Sequence, residues 1–202
     1  MVIVDNKRVL AVVFSMGVKG ERADAEALAT RLGLQINEAK REIRQLEGAG
    51  MVVASGGTVV LTEKGRKTIR VIFIGGGFEI IHYGHVYTIG KARELGDALV
   101  VSVARDSTIR KRKNREPLVG EEDRVKLLSS LRQVDAAILG VEGDIYITLE
   151  KVRPDVVALG YDQYHMEDEV KSNAAKRGLK VEVVRLDSPY PDIKTRKVLK
   201  EF

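Results

Sequence analysis

VIFIGGGFEIIHYGH, residues 71 to 85, runs a β-branched apolar segment into three glycines and then into two histidines three residues apart. The first five residues read as a buried strand. From Gly84 onward, Val86, Ile89, Ala92 and Leu95 form one stripe of a helix. A strand that ends in glycines and turns into a helix is the ligand-binding junction of an open parallel sheet. Glycine lets the backbone approach a bulky anion, and the helix start aims unpaired N–H groups and a positive dipole end at the same spot. The chain has three histidines in 202 residues, and two of them, His82 and His85, fall here. At this spacing both can face a bound phosphate and donate to oxygens that gain charge during transfer.

The same rhythm continues downstream. ALVVSVA (98–104), DAAILG (135–140), DVVALG (155–160) and VEVVRL (181–186) are short apolar runs suited to a sheet buried on both faces. Helical patterns lie between them; one carries Val125, Leu128 and Leu131 behind the acidic start Glu121-Glu122-Asp123. This alternation predicts an α/β fold over residues 68–202, a doubly wound Rossmann-like parallel sheet of about five strands.

Residues 1–67 have a different rhythm. A helix is expected near residues 5 to 16. DAEALATRLGL (24–34) spaces its apolar residues as a second helix with Asp24 as N-cap and Gly33 as stop, and INEAKREIRQLEGAG (36–50) gives a third. MVVA and TVVLT flank Ser55-Gly56-Gly57 and read as a hairpin. The order resembles a small winged helix-turn-helix domain, with LATRLGL, LEGAGMV and LTEKG where that family carries its core and wing. The polar side of the third helix gathers Asn37, Lys40, Arg41 and Arg44, a basic stripe that could lie along DNA. Residues 1–70 hold twelve Lys/Arg against eight Asp/Glu, most of the chain's net charge of +5. The alternative is a module that packs or dimerises, its polar face solvated; a homodimer is expected.

Composition sets further bounds. With 44% hydrophobic residues the chain can bury a core, and without cysteine it has no disulfide framework and no thiolate metal site. No apolar run approaches the roughly 18 residues that span a bilayer, and the start lacks a signal-peptide pattern. A cytoplasmic protein without a membrane partner is expected.

His82-Tyr83-Gly84-His85 matches the HxGH signature of the nucleotidylyltransferase superfamily, and GGGFEIIHYGH is similar to its fuller GTFDxxHxGH form. LGDALVVSVARD (95–106), KRK (111–113), EEDR (121–124), RQVDAAILG (132–140) and PDVVALGYDQ (154–163) follow in the order and spacing of its small cytidylyltransferase-like branch. VARD and GYDQ look most like archaeal FAD synthases, which transfer AMP from ATP to FMN. The resemblance implies that His82, His85 and Lys113 are catalytic. It implies nucleotide contacts from Gly76, Gly77, Phe78, Glu79, Arg124, Gly160, Tyr161, Asp162 and Thr195, and a divalent ion of the magnesium type bridging the phosphates. Three departures stand out: Gly77 replaces the family's threonine, Glu79 its aspartate, and Ile193-Lys194-Thr195-Arg196 an ISTT-like helix start.

Other residues carry plainer readings. The run Arg110 to Arg115, five cations in six, reads as a solvated loop from which register singles out Lys113, with Lys111 as rival. Arg124 either clamps a triphosphate or pairs with Glu121; Asp135 starts a strand; His165 lies on the surface. Three functions remain open at this stage: an FMN adenylyltransferase, a cytidylyltransferase acting on a phosphoalcohol such as glycerol 3-phosphate, and a nucleotide- or flavin-sensing DNA-binding regulator.

Overall fold

Side-chain caps set the first helices. Asp5 accepts from Lys7 N and opens α1 (Asn6–Lys19); Asp24 accepts from Ala27 N and opens α2 (Ala25–Leu32), which stops at Gly33 with φ 68°. The computed structural model describes residues 5 to 190, in two compact units, Met1–Arg70 and Val71–Phe202. In the first unit Glu38 reaches back to the Gln35 N–H at 2.9 Å and fixes the start of α3 (Ile36–Gly48). Leu10, Leu28, Ala39 and Leu46 from the three helices are buried together with Val52 and Val59 of the hairpin. That hairpin, β1 (Val52–Ser55) and β2 (Thr58–Leu61), turns on Gly56 and Gly57, with φ of 57° and 75°. A two-residue turn positive at both central residues is the one whose twist matches the strands.

A helix follows the hairpin that periodicity did not reveal, α4 (Glu63–Thr68). The Thr62 hydroxyl accepts from Gly65 N at 3.1 Å and donates to Gly50 O at 2.7 Å, which ties the start of α4 to the end of α3. Gly65 is required by space: a Cβ there would lie 1.9 Å from Met51 O.

The second unit alternates strand and helix: β3 (Val71–Gly76), α5 (Tyr83–Arg93), β4 (Ala98–Val103), α6 (Asp106–Lys113), α7 (Glu121–Ser129), β5 (Ala136–Leu139), α8 (Ile145–Val152), β6 (Val156–Leu159), α9 (Glu167–Lys176) and β7 (Glu182–Arg185). The strands form one parallel sheet in the order β5-β4-β3-β6-β7. Ile72, Ile74, Leu99 and Val101 share a cluster with Ile89 and Ala92 of α5 and Leu128 of α7. The alternate residues Val71, Phe73 and Val100 are equally buried, so both faces of the sheet are covered.

Two aspartates pin the ladder at its start. Asp155 donates its N–H to Val71 O and accepts the Val71 N–H on its carboxylate at 2.7 Å; Asp135 does the same with Leu99. Asp135 thus starts a strand, as its place in the sequence suggests. The basic run expected as a loop is helical up to Lys113, because α6 closes only at Asn114, which takes a left-handed φ of 50°. No helix among the described residues is long and apolar enough to cross a membrane.

Gly65→Ala is expected to lower the unfolding free energy of the first unit by about 1–3 kcal/mol, the usual cost of forcing extra volume into packed structure. Gly48→Ala, which meets nothing within 4 Å, is expected to leave it unchanged or raise it by up to about 1 kcal/mol. Denaturant unfolding of both variants checks the pair.

Candidate active site

The chain leaves β3 toward β4 on one side and later returns through β6 on the other. β3 and β6 pair only at Ile72–Val156 and Phe73–Val157, then part. A crevice opens where adjacent parallel strands send their connections in opposite directions. A cavity of about 440 Å³ fills it, walled by residues 74–78 after β3, by His82, Gly84, His85 and Thr88 at the start of α5, by Lys113, and by residues 158 and 160–163 after β6.

The glycine loop is shaped by one ring. Phe78 is held at φ 51°, a left-handed conformation for a bulky residue, and its ring would lie 2.9 Å from a Cβ on Gly76. Gly77 is not demanded by space, since a Cβ there would make ordinary contacts with Lys113 Nζ (3.9 Å) and Ile109 (4.0 Å). The glycine instead leaves the Lys113 ammonium facing bare main chain.

His82 is the N-cap residue of α5 and makes no side-chain cap bond. Its ring stacks on His85 with centroids 3.9 Å apart. The Nδ1 atoms of both are buried without a hydrogen-bond partner among the described residues. Burial pushes His85 down to about 4, helped by His82 and opposed by Asp162, and burial likewise lowers His82 against the pull of Asp162. At neutral pH both rings are uncharged. Both histidines line the cavity, and each keeps a buried nitrogen whose lack of a partner costs about 1–3 kcal/mol.

Glu79, expected to touch the nucleotide, is occupied otherwise. Its side chain is sealed from solvent and receives Lys113 Nζ, Arg115 at 2.7 and 3.1 Å and the Leu118 N–H at 3.3 Å. Burial alone would raise its pKa, yet these donors bring it down to about 2. Arg124 likewise is no cavity wall. It is fully buried and donates to Val119 O, Gly77 O and Ala104 O at 2.9, 2.6 and 2.8 Å and to Asp106 at 2.5 Å. Its ionic partner is Asp106 rather than Glu121, which accepts from Arg105 and from Asp106 N.

Gly160, Tyr161 and Asp162 line the opposite wall. Gln163, the last residue of GYDQ, donates to Gly75 O at 2.6 Å and accepts from Gly160 N at 3.2 Å, stitching the two strand ends together. Arg185 donates to Gly160 O, Gln163 O and His165 O and pairs with Glu167, so one guanidinium folds the whole loop. Its signal was a lone cation inside an apolar strand. Arg115 is one of five similar cations in its run, which hides it. His165 is half-buried against Tyr164, and Thr195 lies outside the described residues.

The histidines impose a pH dependence. A histidine whose folded pKa lies below the ordinary 6.5 takes up its proton first in the unfolded chain, so stability is full above 6.5 and is lost as pH falls toward 4. Glu79, lowered from 4.5, adds a loss of the same sign below 4.5. NMR titration should place the His85 midpoint near 4, and His85→Gln should flatten the stability profile between pH 6.5 and 4.

Residues 73–201 match the cytidylyltransferase-like family. The FAD synthase of Pyrococcus abyssi is 44% identical over 141 residues, 68% of this chain and 95% of that protein. The FAD synthase of Aciduliprofundum boonei is 49% identical over 118 residues, 58% of this chain and 78% of that protein. The crystal structure of a lipopolysaccharide core biosynthesis protein from Thermoplasma volcanium GSS1 is 42% identical, with a TM-score of 0.58, over 59% of this chain and 98% of that one. This protein belongs to the cytidylyltransferase-like family, in the group that contains the archaeal FAD synthases.

Proposed function

We propose that the protein is an FMN adenylyltransferase, an FAD synthase that uses ATP and FMN. A phosphate oxygen of FMN attacks the α-phosphorus of ATP; the new P–O bond forms as the bond to the β-phosphate bridge breaks, giving FAD and pyrophosphate. FMN arrives with its phosphate ionised, so no general base is required, and catalysis is alignment plus stabilisation of charge. The observation that carries this reading is the pair of stacked, uncharged histidines with unpaired nitrogens, facing Lys113 across a glycine loop at the switch point of the sheet.

The catalytic roles in this proposal fall to His82 and His85 as donors to the phosphates and to Lys113 as the cation at the α-phosphate. Gly76, Gly77 and Phe78 form the cradle; Gly160, Tyr161 and Asp162 hold the nucleoside, and Thr195 the triphosphate. A divalent ion of the magnesium type keeps much of its shell as water and phosphate oxygen. Glu79, saturated by cations, does not suit it; Asp162 is the carboxylate on the cavity wall that would hold it. Bound there, it would neutralise phosphate charge.

The first unit is proposed to be a winged helix-turn-helix domain spanning residues 1–67, joined to a transferase domain of residues 68–202. On α3, Lys40, Arg41 and Arg44 are exposed opposite buried Ala39, Ile43 and Leu46, which supports contact with DNA. Val53 and Val60, directly opposed on the hairpin and about half exposed, offer apolar surface for a homodimer. A cytoplasmic location completes the reading.

Chromatography of flavin products should show FAD from ATP and FMN, with at most a trace of product from CTP and glycerol 3-phosphate; the reverse result would overturn the proposal. His82→Ala and His85→Ala should each cut kcat by about 10²–10³, the effect of losing one donor to transition-state charge. Duplex DNA binding should weaken steeply with salt, and changing Lys40, Arg41 and Arg44 to alanine should reduce that slope by about 3. Absence of duplex binding at low salt would leave the first unit a packing module.

A further inference from the structure

We infer that Glu79 is a positioning residue that acts through Lys113, holding its ammonium over the glycine loop while Arg115 keeps the carboxylate satisfied when Lys113 turns to a phosphate. This rests on the adenylyl-transfer reading above. Glu79 sits on the β3–α5 loop and Lys113 on the last turn of α6, 34 residues apart in the chain; Lys113 lines the cavity and Glu79 holds it from behind the wall. The side chains differ in exposure: Glu79 is sealed from solvent, whereas Lys113 keeps 43% of its surface. One partner is fixed and the other can turn.

Arg115 explains how it can turn without penalty. A buried carboxylate abandoned by its only cation would be left costly and unpaired. Here a second cation grips both carboxylate oxygens, and the Leu118 N–H supports one of them. Lys113 therefore leaves behind a group that is still paired. Its destination is close by, because Gly77 has no side chain and a Cβ there would lie 3.9 Å from Lys113 Nζ. Two cations against one carboxylate leave a surplus positive charge beside the loop, the sign a triphosphate requires. A glutamate reaches this cluster from a buried base; with one methylene fewer it would meet Lys113 and Arg115 less completely.

A double-mutant cycle on the full-length protein tests the inference. Glu79→Gln keeps the shape and an acceptor for Arg115 but removes the charge that holds Lys113. With ATP and FMN it should cut kcat by about 100-fold, the effect of a small misplacement of a catalytic group. Lys113→Ala should cut kcat by about 10²–10³, and adding Glu79→Gln to it should change kcat by no more than about twofold. Glu79→Asp, which keeps the charge, should recover part of the loss. If Glu79→Gln costs the same factor with and without Lys113, Glu79 does not act through Lys113 and the inference falls. It falls also if neither Glu79 variant folds, since the carboxylate is then a stability element. Should the unaltered protein make no FAD, the adenylyl-transfer reading fails separately, and the same cycle is read in ATP binding by calorimetry, where the coupling between Glu79 and Lys113 must still appear.

Discussion

A guanidinium with no exposure to solvent joins the parts on which the site is built. Arg124, on the first turn of α7, reaches the carbonyls of Gly77 on the glycine loop, of Ala104 at the end of β4 and of Val119 before its own helix, and pairs with Asp106 at the start of α6. An ionised group that deep persists only when nearly all its donors are matched. The four bonds meet that condition and hold three backbone carbonyls and one carboxylate to one plane. Gly77 and α6, and through α6 Lys113, are thereby referred to a common anchor. Arg124, which in the sequence reads either as a triphosphate clamp or as a partner of Glu121, fixes the backbone beside the cavity.

Around this anchor the molecule separates neutral donors from cations. Burial lowers the pKa of His82 and of His85 and leaves the Nδ1 of each without a partner among the described residues. Positive charge is concentrated instead on Lys113 and Arg115, stabilised by one buried carboxylate. The two rings and the Lys113 ammonium line one cavity. The two kinds of group sit on different elements, yet they are coupled, because the charge of Lys113 helps to lower His85.

How much of this the sequence disclosed follows from the range of the interactions involved. Strands β3 to β7 were readable because uninterrupted β-branched runs carry their signal in adjacent residues, and Asp24, Gly33, Gly56 and Gly57 announced caps and turns by local backbone needs. The HxGH histidines were found because chemistry and chain spacing coincide on one helix turn. The run DSTIRKRK of α6 buries only Ile109, so apolar periodicity had nothing to register and a loop was expected. Glu79 meeting Arg115 across 36 residues and Arg124 meeting Gly77 across 47 leave no local trace, since each side chain alone is an ordinary surface charge. Long-range ionic contacts made on folding are the part of the site that no window of sequence contains.

The short ladder between β3 and β6 has a mechanical meaning. β3 is bonded to β4 along six residue pairs but to β6 along two, with Asp155 fastening the foot of the seam to Val71 and Gln163 bridging its upper edge to Gly75. The sheet is therefore least tied along the line beside the cavity. Fewer ladder pairs hold this seam than any other in the sheet, so opening the cleft would cost least there.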